Sequence, residues 1–312
     1  MNQPVRHQAE SLSIQQVLTF CRVYEHGGYA SASDDLGLAG PTMWEQVKVL
    51  ESIYRTTLFE RKGRSIQPTA QGDLLYTLLS PLLATVESTF ELLSEQDQSG
   101  PKQIRLVTGV RMMLEELGEP LRKFLSEFAD HRLKLMTADN RVAQELVLSD
   151  KADMALLIEP PREAVMQGIA CEVLYPIDYL AAFPPRHRLA RKADFTLLDL
   201  EHEPIVAGNP DTVGRRMLEQ AWFRYSIKSP MNIVVETDNS AFTIACVRAG
   251  IGIGVIAGRM DGNLSKHVAS KLLSRDLGRV NVVAATKIGR KPTKALSALL
   301  QLLHQTKRGI DA

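Results

Sequence analysis

Thr42, Trp44, Glu45 and Lys48 fall close together just after Pro41, and their side chains offer a hydroxyl, an indole N–H, a carboxylate and an ammonium. On one exposed helix such a set could meet the edges of base pairs. The indole offers one donor or apolar contact to a thymine methyl, and the carboxylate accepts from a cytosine amino group. Lys48, with Arg61, Lys62 and Arg64 a little further on, suits phosphate contacts, which set affinity and register without reading sequence. Each residue also has an ordinary reading: Trp44 as a hydrophobe packed between helices, the charges as a solvated face.

Other chemistry finds little anchorage. The seven histidines have no metal-type spacing with one another or with cysteine, so no metal or cofactor is expected. Ser, His and Asp occur without a G-x-S-x-G or comparable nucleophile setting, which argues against an enzyme. Gly250-Ile251-Gly252-Ile253-Gly254 lacks the G-x-G-x-x-G spacing and precedes a strand, so it reads as a helix-ending turn. Cys171 and Cys246 read as buried thiols rather than a redox pair.

These residues need elements to hold them. Ile14, Val17, Leu18, Cys21 and Tyr24 mark a first helix that stops at His26-Gly27-Gly28. A second helix runs from about Ala30 to Leu36. Gly37 to Gly40 form a tight turn, and Pro41 opens a third helix with Met43, Val47, Leu50 and Tyr54 on its buried stripe. This is a helix-turn-helix layout. Leu58 to Arg61 and Ser65 to Gln67 flank Lys62-Gly63-Arg64 as a basic hairpin, or wing. Thr69 caps a long helix whose Leu75, Leu78, Leu79, Leu82, Leu83, Val86, Phe90 and Leu93 form one stripe, expected to pair with another chain, and Pro81 is expected to kink it.

The polar run from Glu95 to Pro101 marks a boundary. Beyond it, short apolar strands at Ile104 to Thr108, Leu133 to Met136, Met154 to Ile158, Tyr179 to Phe183, Ile205 to Ala207, Ile233 to Glu236, Ile253 to Ile256 and Val280 to Ala285 alternate with helices. The helices are expected at Met113 to Phe128, Asn140 to Ser149, Thr212 to Tyr225, Ser240 to Ala249 and Lys294 to Thr306. The pattern is α/β with a largely parallel sheet. Ligands in such folds sit where strand ends face helix starts. The candidate contacts are Thr108, Gly109 and Val110, then Thr137, Asp139 and Asn140, Gly208 and Asn209, and Asp238 and Asn239.

Composition sets the outer bounds. With 37 Lys+Arg against 36 Asp+Glu, net charge gives no global sign of nucleic-acid binding, and acidic residues outnumber basic ones over the first hundred positions. Three scattered cysteines and the lack of a long apolar run point to a cytoplasmic protein without membrane spans.

The frame Phe20, Glu25, Gly27-Gly28-Tyr29, Ala32, Leu36, Pro41, Leu50-Glu51, Leu58-Phe59-Glu60-Arg61, Arg64, Thr69 and Gly72 resembles the LysR-type transcriptional regulators of bacteria. Asp153-x-Ala155, His187-x-Leu189-Ala190 and Val247-x2-Gly250-x-Gly252 extend the resemblance over essentially the whole chain. It implies a winged helix-turn-helix over 12–69, a dimerising linker helix over 70–97 and an effector-binding domain over 102–312. That last domain would have two α/β lobes resembling type 2 periplasmic binding proteins. It further implies a homodimer or dimer of dimers that binds double-stranded DNA and responds to an unidentified small-molecule effector held between the lobes.

The chain departs from the family where bases are read. Ala39-Gly40 stands where Ser-Gln is usual, Trp44 where a Ser is usual, and Glu45 where an Arg is common. The recognised bases must therefore differ from the family's usual ones. The alternative is a sensor of the same fold that has lost sequence-specific DNA recognition.

Overall fold

The computed structural model describes residues 10–63, 65–96, 102–266 and 268–305. Arg64, His267 and most of the polar run ending at Pro101 lie outside the described residues. The chain divides into two compact units, one of residues 1–101 with 287–292 and one of 102–286 with 293–312.

In the first unit, helix α1 (Ile14–Glu25) starts in a capping box. Gln16 N–H donates to the Ser13 hydroxyl at 3.2 Å, and Ser13 N–H donates to the Gln16 side chain at 3.1 Å. Gly27 takes φ +66° in the break, which no side chain favours. Helix α2 (Tyr29–Leu36) follows and ends at Gly37, again left-handed. Helix α3 (Gly40–Tyr54) has Pro41 in its first turn, where its missing N–H leaves no helix bond unmade. Met43, Val47 and Leu50 of α3 are buried with Phe20, Cys21, Val23 and Ala32. Tyr54, expected on that stripe, is 40% exposed at the last residue of α3.

Strands β1 (Phe59–Lys62) and β2 (Ser65–Pro68) pair antiparallel as the wing. Glu51, on the buried side of α3, joins helix to wing. Its carboxylate accepts from Leu58 N–H at 2.7 Å and Phe59 N–H at 3.4 Å, and pairs with Lys48. Thr69 donates to the Thr57 carbonyl at 2.7 Å and accepts from Gly72 N–H at 3.1 Å. Gly72 is required here, since a Cβ would lie 2.3 Å from the Leu58 carbonyl oxygen.

Helix α4 (Ala70–Gln96) does not carry one stripe but two faces. Leu75, Leu79 and Leu83 are buried in the core that α1 contributes to, and Tyr76 stacks on Tyr24 at 4.0 Å. Leu74, Leu78, Leu82, Phe90 and Leu93 are each more than half exposed. The expectation that the whole stripe awaits another chain is corrected accordingly: α1 covers part of it. Residues 287–292, expected in the effector-binding region, group with α4 through three bonding points along it. Thr85 donates to the Gly289 carbonyl at 2.8 Å, Lys291 N–H to Ser88 at 3.0 Å, and Arg290 to both oxygens of Glu91 at 2.8 and 3.0 Å.

The second unit is built on a nine-stranded sheet. In its first lobe β3 (Gln103–Thr108) lies parallel between β4 (Arg132–Thr137) and β5 (Met154–Ile158). In the second, β7 (Ile205–Gly208) lies parallel between β8 (Ile233–Thr237) and β9 (Ile253–Gly258). The sheet expected to be largely parallel is mixed: these two three-stranded groups are parallel, and antiparallel strands flank each. Long β6 (Ile169–Phe183) runs antiparallel to β9 and to β10 (Ala269–Leu272), and β11 (Val280–Lys287) runs antiparallel to β5. Helices α5 (Val110–Glu115), α6 (Gly118–Glu127), α7 (Asn140–Leu148), α8 (Val213–Arg224), α9 (Ser240–Arg248), α10 (Ser274–Leu277) and α11 (Lys294–Gln305) complete it. The single helix expected over Met113 to Phe128 is two, because Pro120 lacks an N–H and suits the first turn of a new helix.

Two outcomes follow for the first unit. Glu51→Ala leaves two wing amides without their acceptor and should cost about 2 kcal/mol of stability in urea denaturation. Burial pushes the Cys21 thiol up to about 12. Alkylation of Cys21 should therefore stay slow in the native protein through pH 9, where an ordinary thiol is largely ionised, and become fast in urea.

Candidate nucleic-acid interface and ligand cleft

The packing of α3 decides what it presents outward. With Met43, Val47, Leu50 and Glu51 turned inward, Pro41, Thr42, Trp44, Glu45 and Lys48 all stand exposed. Trp44 is 51% exposed, so it does not fill the space between helices. Lys48 lies over its ring at 5.7 Å, which limits the indole's rotation. Because Lys48 also pairs with Glu51, part of its charge is already met inside the unit. A hydrogen bond from Thr19 on α1 to Gln46 helps set the angle of α3. Arg61 and Lys62 are exposed on the wing, and Gly63 at its tip adopts φ +66°. The predicted Arg64 contact falls outside the described residues.

Glu51 and Gln46 position this surface; Glu51 stood in the sequence frame of the resemblance, but neither was given a positioning role there. The available signal was a carboxylate on an otherwise apolar stripe, four residues beyond Val47.

In the second unit the candidate ligand loops lie at strand ends, but many of their polar groups are engaged. Asp139 caps α7, accepting from Arg141 N–H at 2.9 Å and Val142 N–H at 2.8 Å, and Asn140 donates to the Ile158 carbonyl at 2.8 Å. Asn239 caps α9 through Ala241 and Phe242, each at 3.1 Å. Asn209 donates to Asp238 at 2.7 Å, so these two predicted contacts come together on one side of the second lobe. Gly208 gives its carbonyl to Arg215 at 3.2 Å. Thr108 is buried, its hydroxyl 3.2 Å from the Met112 sulfur rather than turned outward. Gly109 and Val110 are half-buried, and Thr137 is exposed.

The two cysteines weighed as a redox pair lie apart in the chain's packing. Cys171 on β6 packs in the first lobe against the cluster of Ala143 and Val147, and Cys246 sits on α9 of the second lobe; both are free thiols, half-buried rather than buried as expected.

A winged helix-turn-helix joined to a two-lobed α/β domain defines a ligand-responsive DNA-binding regulator. Residues 14–73 match the helix-turn-helix of the lysR family of bacterial regulatory proteins, and 98–308 match the LysR substrate binding domain. The chain belongs to the LysR family of transcriptional regulators, which bind DNA, respond to small molecules and form oligomers. It is 28% identical over 251 residues to the HTH-type transcriptional regulator CfxR of Cupriavidus necator, covering 79% of this chain and 76% of that protein. It is 26% identical over 249 residues to the transcriptional activator protein LysR of Escherichia coli, covering 79% and 78%. Full-length OxyR from Pseudomonas aeruginosa shares the fold at 13% identity with a TM-score of 0.63, covering 95% of this chain and 97% of that one. Among the described residues no helix is long and apolar enough to cross a membrane.

Proposed function

We propose that this regulator is a cytoplasmic protein without enzymatic activity, and that it recognises its operator through the outward face of α3 and the wing. The observation that carries the reading is the exposure of Trp44 and Glu45 on a helix whose inward residues Met43, Val47, Leu50 and Glu51 are all buried. Trp44 contacts a thymine methyl or donates one hydrogen bond, and Glu45 accepts from a cytosine amino group. Arg61, Lys62, Arg64 and the free part of the Lys48 charge meet phosphates and carry no sequence information. The exposed leucines of α4, with Phe90, pair with the same face of a second copy, since a contiguous apolar helix face of this length is costly in water. In the second unit the effector sits between the lobes, near Gly109, Thr137, Gly208 and Asp238. Its binding shifts a pre-existing equilibrium of oligomer geometry and DNA bending.

The reading is tested by fluorescence anisotropy on DNA from the upstream intergenic region and on scrambled DNA. Trp44→Ala and Glu45→Ala should each weaken operator binding by about tenfold or more while leaving scrambled-DNA binding nearly unchanged. Lys62→Ala should weaken both alike and lower the slope of log affinity against log salt by about 1. Equal losses on both DNAs for all three variants would favour a sensor that no longer reads sequence.

A further inference from the structure

The second unit holds a cluster of buried polar atoms that the fold leaves without partners. Arg111 is 6% exposed and Glu116 5% exposed, and they pair at 2.5 Å through one nitrogen and one oxygen. Arg111 Nη2 and Glu116 Oε2 have no partner among the described residues, and neither do the hydroxyls of Tyr175 and Tyr179, both 1% exposed. Glu115 Oε2 is in the same position, although Glu115 Oε1 accepts from Leu264 N–H at 2.7 Å. Tyr175 and Tyr179, four residues apart on β6, share one face of the strand. Tyr179 pairs with Ala257 of β9, and the loop after β9 returns to the end of α5, where Asn263 donates to the Leu114 carbonyl at 2.9 Å, so the strand of the tyrosines and the helix of Arg111 are joined through one segment. Burial keeps both phenols protonated far above neutral pH.

Position relates this cluster to the cleft loops. Arg111 stands three residues beyond Thr108. A Cβ on Gly214, in the first turn of α8 after the Gly208–Asn209 loop, would lie 3.9 Å from the Tyr179 hydroxyl. Leaving a buried donor or acceptor unmade costs about 1–3 kcal/mol each, so a cluster of several is retained for something that completes it.

We infer that Arg111, Glu116, Tyr175 and Tyr179 form a buried polar subsite for a small hydroxylated molecule. The ligand class follows from the bonds on offer. The two N–H bonds of Arg111 Nη2 and the two hydroxyls seek acceptors, Glu116 Oε2 and the adjacent Glu115 Oε2 seek donors, and alcohol groups supply both. A bare anion fits poorly, because the Arg111 charge is met by Glu116 and that of neighbouring Arg259 by Asp261 in two bonds of 3.0 Å. This deepens the effector reading above and rests on it.

The test uses the full-length protein, with Tyr175→Phe and Tyr179→Phe, in thermal denaturation and isothermal titration. The probes are xylitol, ribose and glycerate, with propionate and inorganic phosphate as hydroxyl-free and anionic controls. Without ligand, both Phe variants should melt above the wild type, because each removes an unsatisfied buried hydroxyl. At least one hydroxylated probe should bind the wild type, and at least tenfold more weakly each Phe variant. Phe variants that melt below the wild type would place the hydroxyls in structural bonds and overturn the proposal. So would binding of propionate or phosphate alone, or no binding of any hydroxylated probe. Operator binding by the wild type in the same preparation separates the two readings: its absence counts against the regulator's DNA contacts and leaves the subsite result standing.

Discussion

The Glu51 carboxylate is the point on which the DNA-facing surface depends. It lies on the buried side of α3, where a carboxylate must be met by donors, and the amides of Leu58 and Phe59 at the start of the wing supply them. One group thus ties the register of α3 to the position of the wing. Turning α3 so that Trp44 and Glu45 left the surface would also strip Glu51 of its backbone donors, the amides of Leu58 and Phe59. Thr69 and Gly72 continue the same fixation into α4, because the Leu58 carbonyl leaves no room for a side chain at position 72.

Sequence pattern revealed the helix-turn-helix well because its helices are marked by their own stops and starts: the Gly27-Gly28 break, the turn from Gly37 to Gly40 and Pro41. It revealed the strands of each lobe because their apolar runs are short and bounded. What it concealed were features that depend on partners distant in the chain. Only the last third of β6 was anticipated, since Glu172, Pro176 and Asp178 interrupt its apolar run, and β10 has no alternation to reveal it. The α4 stripe reads as a single period along the helix, whereas its division into a covered and an uncovered face is set by α1. Residues 287–292 carry no periodic signal at all, and their place beside α4 rests on backbone groups and on Arg290.

The ligand loops show the same limit from the other side. Asp139, Asn140 and Asn239 stand at strand ends, as a cleft requires, but their side chains cap helices or bond to backbone, and Thr108 is turned into the core. Residue type and topological position identified the loops without showing which polar groups remain free. The groups left unsatisfied, on Arg111, Glu116, Tyr175 and Tyr179, lie on α5, just past its end and on the lobe-crossing strand. A sequence offers no means of telling a satisfied buried tyrosine from an unsatisfied one.

The central claim is that the outward face of α3, despite its departures from the usual residues, still reads sequence. The most direct test is anisotropy of the wild-type protein with its upstream intergenic DNA and with scrambled DNA across a salt series. The account predicts preferential binding to the intergenic DNA that survives physiological salt, with protected half-sites containing thymine or cytosine where α3 enters the major groove. Equal affinity for both DNAs, collapsing together as salt rises, would contradict it.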